Sequence, residues 1–129
     1  MGQQQLLLII LGVIIVGIAI AVGLSLFAAN SVQANKDAMI NDINNIAANA
    51  YQFYIRPVSM AGGGSSYTGG TGYVIPQRMS CNDNGVYLAP AANPLVITGT
   101  SKTYPAATVQ ASVSALGVVS GWVFTGDFL

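Results

Sequence analysis

Few side chains in this sequence are equipped for acid–base or nucleophilic chemistry, and their types and spacing do not combine. There is no His and no Glu, and the four Asp residues stand apart at positions 37, 42, 83 and 127. A Ser–His or Cys–His pair is therefore unavailable to a nucleophilic mechanism. One Cys without any His makes no zinc set. That residue, Cys81, has no partner for an internal disulfide and reads as a small half-buried or inert thiol, with an intermolecular bridge or a reactive role as the alternatives. Asn82-Asp83-Asn84 could touch a hard cation, but it lacks the glutamate and loop length of a calcium hand and reads as a turn. Residues 61–72, AGGGSSYTGGTG, are too glycine-rich to ignore as a phosphate cradle. No Lys-Ser/Thr pair follows and no helix starts there, so they read as a mobile surface loop. Phe27, Tyr51, Phe53 and Tyr54 recur at helical spacing, which points to packing and interface roles rather than an electron path. The expectation is a protein that is not an enzyme and needs no cofactor or metal.

The residues that must carry the function are apolar. The first 35 residues hold no charged side chain, and residues 6–29, LLLIILGVIIVGIAIAVGLSLFAA, are nearly unbroken in their hydrophobicity. Wound as a helix, such a run is roughly 36 Å long, enough to cross a bilayer core of about 30 Å. A helix apolar on every side must be buried in lipid or in protein. The run is longer than a secretory h-region and has no Lys or Arg before it, so a signal peptide is not expected; position 6 is Leu, which argues against myristoylation at Gly2. Charged residues make up 6% of the chain with zero net charge, and no basic patch exists for nucleic acid. So little charge suits a subunit that lives in a membrane or a polymer.

The helical pattern continues past Ala29 but changes character. Val32, Met39, Ile43, Ile46, Ala50 and Phe53 form one apolar stripe, with Lys36 interrupting it, while Asn35, Asp37, Asn41, Asp42, Asn44, Asn45 and Asn49 fall mostly on other faces. One helix is predicted from about Gly2 to Ile55, ended by Arg56-Pro57, because proline has no N–H and restricts the residue before it. Gly23 with Ser25 is a candidate kink. Beyond the glycine-rich loop, strand signals appear at Tyr73–Ile75, Gly85–Leu88, Leu95–Thr98, Thr108–Val113 and Val118–Thr125, with Ala115-Leu116-Gly117 as a hairpin connection. The predicted fold class is α+β: a long N-terminal α-helix, apolar in its first half and amphipathic in its second, packed on a small antiparallel sheet of about four strands. The expected divisions are the helix at 1–56 (anchor or core at 1–30, amphipathic half at 31–56), the loop at 57–72 and the sheet head at 73–129. Met39, Ile43, Ile46, Ala50 and Phe53 on the helix, with Trp122 and Phe124 on the last strand, are expected to join helix to sheet.

A polar stub, an apolar helix that turns amphipathic, a glycine-rich loop and a small antiparallel sheet together resemble a type IV pilin. The sequence carrying the resemblance is Gln3-Gln4-Gln5-Leu6-Leu7-Leu8-Ile9-Ile10-Leu11-Gly12-Val13-Ile14-Ile15; beyond the first 30 or so residues the likeness is architectural. The chain departs from the family in four respects. Gln5 stands where many members have a Glu thought to pair with a neighbour's terminal amine; it still accepts a hydrogen bond but lacks full charge assistance. Val22-Gly23 occupies the region of a frequent helix proline, and neither a basic leader nor a C-terminal disulfide pair is visible.

The resemblance implies a structural subunit, the major pilin of an extracellular helical filament. Its helix would be held in the inner membrane before assembly and in the filament core afterwards. The core would be built through Met1, Gln5, Leu6, Leu7, Ile10, Leu11, Ile14, Ile15, Ile18, Val22 and Phe27. The implied partners are other copies of the chain, the membrane, the pilus assembly machinery and prepilin peptidase, which would leave either Met1 or Gln3 as the mature N-terminus. No nucleic acid partner is expected. Ser65, Ser66, Thr68 and Thr71 offer hydroxyls for O-linked sugars. Two other readings stay open: a type II secretion pseudopilin or minor pilin of the same architecture, and a monomeric membrane-anchored binding domain that uses the loop with exposed Tyr67 and Tyr73. Adhesion, motility, DNA uptake and conduction are not distinguished at this level.

Overall fold

The computed structural model describes residues 2–129. A single helix, α1, spans Gly2–Ile55 and passes through Gly12, Gly17, Gly23 and Ser25 without leaving the helical conformation. It ends where Arg56-Pro57 was expected to end it. The chain divides into two compact units, residues up to Gln33 and Ala34–Leu129.

In the first unit, every described residue through Ser31 is exposed. The largest apolar side chains stand half to three-quarters open to solvent, from Leu11 at 53% to Phe27 at 74%. The segment is long and apolar enough to cross a membrane by length and composition.

The second unit is the head. A short 3₁₀ turn, Val58–Met60, follows α1; a one-turn helix α2, Gln77–Ser80, precedes the sheet. The sheet has four antiparallel strands, β1 (Gly85–Leu88), β2 (Leu95–Ser101), β3 (Thr108–Val113) and β4 (Val119–Thr125), in the order β1-β2-β3-β4. Alternation decides which face is buried. Leu95, Ile97, Gly99 and Ser101 of β2 and Val109, Ala111 and Val113 of β3 point inward. They meet Met39, Ile43, Ile46, Ala47 and Ala50, the buried residues of α1. Long helix on small antiparallel sheet is thus the α+β arrangement expected from the sequence.

Tyr73–Ile75 is the exception among the predicted strands. It is extended but pairs with no strand. Its apolar side chains are used otherwise: Tyr73 and Ile75 are buried, and Pro76 opens α2 directly afterwards. β4 carries a second irregularity. Gln110 faces Val123 but Ser112 faces Ser120, so β4 has one extra residue across that step. Gly121 supplies it at φ +66°, the left-handed conformation that glycine adopts without a Cβ penalty. The extra residue shifts the in–out parity of the strand. Val119 consequently shares a face with Trp122 and Phe124, as their half-buried state records.

Candidate functional site

Two surfaces draw on the residues singled out in the sequence: the apolar helix segment, and the joint between helix and sheet that carries the head. On the first, Leu6, Leu7, Ile10, Leu11, Ile14, Ile15, Ile18, Val22 and Phe27 are all exposed large apolar side chains. Gln5 is exposed beside them, and Met1 lies outside the described residues. A Cβ placed on Gly12, Gly17 or Gly23 would meet nothing within 4 Å. These three glycines therefore serve no contact within the chain, and small residues of this kind let another helix approach closely.

At the joint, Met39, Ile43, Ile46 and Ala50 are fully buried as expected. Phe53 is half-buried, its ring tilted against Tyr73 with centroids 5.6 Å apart. Trp122 and Phe124 stack on each other at 6.3 Å and lie at the margin of the core rather than inside it, because β4 is the last strand of the sheet. Lys36, an interruption in the predicted stripe, places its ammonium 4.1 Å from the centre of the Phe124 ring. The aromatic face supplies the electrostatic attraction and the lysine stem covers apolar surface.

The polar residues of α1 correct the sequence reading. Asn35 and Asp42 were expected on other faces, yet both turn toward the head. Asp42 Oδ2 accepts three hydrogen bonds, from Tyr87 Oη at 2.6 Å, Asn82 Nδ2 at 2.9 Å and Asn84 Nδ2 at 3.0 Å. Asn35 Oδ1 accepts from Ser101 Oγ at 2.6 Å, and its amide donates to the Asn84 carbonyl at 3.4 Å. Two turns past the Asp42 contacts, Asn49 Oδ1 accepts from Tyr73 Oη at 2.9 Å. Asn35, Asp42 and Asn49 are spaced by seven residues, so they lie along one line of the helix. Burial alone pushes the Asp42 carboxyl up, but the hydrogen bonds from Tyr87, Asn84 and Asn82 together outweigh it and hold it below its ordinary value. Burial raises Tyr73 to about 12 and, helped by its bond to the Asp42 carboxylate, raises Tyr87 further.

Asn82-Asp83-Asn84 is the turn it was expected to be. Asn82 Oδ1 accepts from the backbone N–H groups of Asn84 and Gly85, at 2.9 and 3.1 Å, which closes an Asx turn. Among the described residues, no three His, Cys, Asp or Glu side chains come together to hold a metal. Cys81, read as half-buried, is exposed, and its backbone forms an isolated antiparallel bridge to Val86.

The glycine-rich loop is only partly at the surface, with Gly62, Gly63 and Tyr67 buried, and Tyr67 and Tyr73 are not exposed as the binding-domain reading required. Tyr67 is wholly buried and Tyr73 nearly so. Tyr67 donates its hydroxyl to the Ser114 carbonyl at 2.8 Å, and its ring is tilted against that of Tyr54 with centroids 4.8 Å apart. Its N–H donates to Asn93 Oδ1 at 3.0 Å, while Asn93 Nδ2 donates to Ser66 Oγ and Thr68 Oγ1. The loop closes backbone on backbone: a Cβ on Gly63 would collide with the Ser66 carbonyl, and one on Gly69 with the Gly63 carbonyl. Glycine is needed there for lack of space. Of the candidate glycosylation residues, Ser65, Thr68 and Thr71 are exposed and Ser66 is half-buried. Ser66 and Thr68 are held in the Asn93 cluster.

Compared with protein-family models, with curated proteins and with solved structures, the chain finds no match in any of the three. The functional reading therefore rests on the surfaces themselves.

Proposed function

We propose that this protein is the structural subunit, or major pilin, of an extracellular type IV pilus-like filament, polymerising through the uncharged half of α1 and waiting in the inner membrane before assembly. One observation carries the reading: a single helix is exposed and apolar on all sides through its first 30 or so residues, then holds a sheet along one face for the remainder. Each large apolar side chain moved from water into a helical core gains on the order of 1.5–3 kcal/mol. No charge in residues 2–35 must be buried unpaired in the process. The same segment suits lipid before assembly, since it satisfies its own backbone hydrogen bonds.

The test is negative-stain microscopy of sheared cell surfaces, with the protein followed by immunoblot in the membrane fraction. Fibres with this chain as their bulk component are expected. Ile15→Lys or Leu11→Asp should reduce filament yield by about tenfold or more at equal membrane level, because an unpaired charge in the core costs several kcal/mol. Abundant filaments from either variant would remove the core assignment.

A further inference from the structure

The sequence holds a single Asn-Gly pair, Asn84-Gly85. Such a pair is a chemically fragile point in a chain, because glycine has no Cβ to obstruct approach to its nitrogen and its backbone turns freely. Once the Gly85 nitrogen has given its proton to solvent, it can attack Cγ of Asn84. A C–N bond forms, the bond from Cγ to Nδ2 breaks, and ammonia leaves with a proton taken from water. Water then opens the cyclic imide at one of its two carbonyls. The product is aspartate, or its isomer with the backbone routed through Cβ. The net change converts amide and water into acid and ammonia.

The head requires this pair and ties down its reacting groups. Gly85 is buried, and a Cβ there would collide with the Thr100 carbonyl, so a larger residue has no room. Its N–H donates to Asn82 Oδ1 at 3.1 Å. The same peptide unit is held at its other end, where the Asn84 carbonyl accepts from the Lys102 N–H at 3.3 Å and from Asn35 Nδ2 at 3.4 Å. The side-chain amide that must depart donates from Nδ2 to Asp42 Oδ2 at 3.0 Å. Ring closure has to turn peptide and side chain toward each other, and both are held by other partners.

We propose that Asn84 is a deamidation site kept closed by the fold, with the Asp42 contact as its latch. The product does not fit back into its place. A carboxylate at position 84 has no hydrogen to donate to Asp42 and repels it. The isomer adds a backbone atom where β1 begins, at the Gly85–Ser101 pairing. A head that opens at this corner is therefore altered irreversibly at the joint between helix and sheet.

The full-length protein in mild detergent and mildly alkaline buffer tests this, followed by peptide mass mapping. The map reads the mass gained where amide becomes acid, and chromatography separates the isomer. In the folded chain Asn84 should convert slower by about tenfold or more than in the same chain in urea, since reaction requires local opening. Asp42→Ala should raise the folded rate by about tenfold or more, and Asp42→Asn, which keeps an acceptor oxygen, by less. Gly63→Ala is the control: it disturbs the glycine-rich loop and touches none of the Asn84 contacts. Compared with Asp42→Asn at equal unfolding free energy, set with urea, it should accelerate the reaction less. A folded rate equal to that in urea would overturn the proposal. Equal acceleration by Gly63→Ala and Asp42→Asn at matched stability would also overturn it, by assigning the protection to folding as a whole. Neither outcome bears on whether filaments form.

Discussion

Replacing Asp42 with alanine should be among the most damaging single changes in the head outside its apolar core. The carboxylate accepts hydrogen bonds from Tyr87, Asn82 and Asn84. A hydrogen bond to a charged group contributes about 1.5–3 kcal/mol net, and a buried donor left without an acceptor costs about 1–3 kcal/mol. Tyr87 is 1% exposed, so its hydroxyl has no water to turn to after Asp42→Ala. Asn82 and Asn84 are half-buried, and water replaces much of what they lose. Counting the Tyr87 bond in full and the other two lightly gives about 3 kcal/mol. For a domain of roughly 60–100 residues that corresponds to about 12–24 °C in Tm. Asp42→Asn keeps an acceptor oxygen without the charge and should cost about half as much. The assay is urea unfolding of the full chain in mild detergent, followed by near-ultraviolet circular dichroism of the tyrosines. The pH dependence has a definite sign. The folded carboxyl sits below its ordinary value of 3.8, so its contribution is present above that value and is lost as pH falls through the lower, folded one. The stability difference between the unsubstituted chain and Asp42→Asn should be flat near neutrality and shrink below about pH 4. A cost under about 0.5 kcal/mol for Asp42→Ala, or a difference that grows on acidification, would refute the reasoning.

Three other changes are open to direct measurement. Tyr73 is raised to about 12 and Tyr87 beyond it, so the unfolded chain loses its phenolic protons first; stability is full below about pH 10 and declines above it, and Tyr73→Phe should flatten the alkaline limb of a thermal-melt series. Gly63→Ala drives a methyl group into the Ser66 carbonyl and should destabilise the head by about 2 kcal/mol or more, whereas Ala61→Gly, at φ 61°, should be neutral or mildly stabilising; a denaturant series on the two variants separates lack of space from backbone strain.

Much of the fold was written in periodicity. The limits of α1, its change from all-round apolar to one-sided, and the inward faces of β2 and β3 follow from spacings of 3.6 and 2. Tyr73–Ile75 misled because an apolar triplet before proline is equally suited to a strand and to a buried extended segment; what decides is whether another strand lies alongside, which is a tertiary fact. Tyr67 sat among glycines and serines, and local composition signals exposure there. Its burial depends on Asn93 and Ser114, distant in sequence. The polar half of the joint was within reach. Asn35, Asp42 and Asn49 recur at seven-residue spacing beside the apolar stripe, a regularity that marks a face in the same way hydrophobic residues do. The sequence reading puts them mostly on faces other than the apolar stripe, because polar side chains on a helix usually lie away from its packed side. The extra residue in β4 was not legible, since Gly121 alone does not reveal that it moves Val119 to the side of Trp122.

That line of three polar side chains also fixes where along the helix the sheet can sit. Met39, Ile43, Ile46, Ala47 and Ala50 would, as a merely greasy track, accept the sheet displaced by one helical turn, because the stripe repeats itself. A displacement of one turn, about 5.4 Å, separates the Asp42 carboxylate from Tyr87, Asn82 and Asn84, and Ser101 and Tyr73 from Asn35 and Asn49, at once. The ladder acts as a set of notches. Within the head, the sheet is held at one axial position along residues 34–55 of α1.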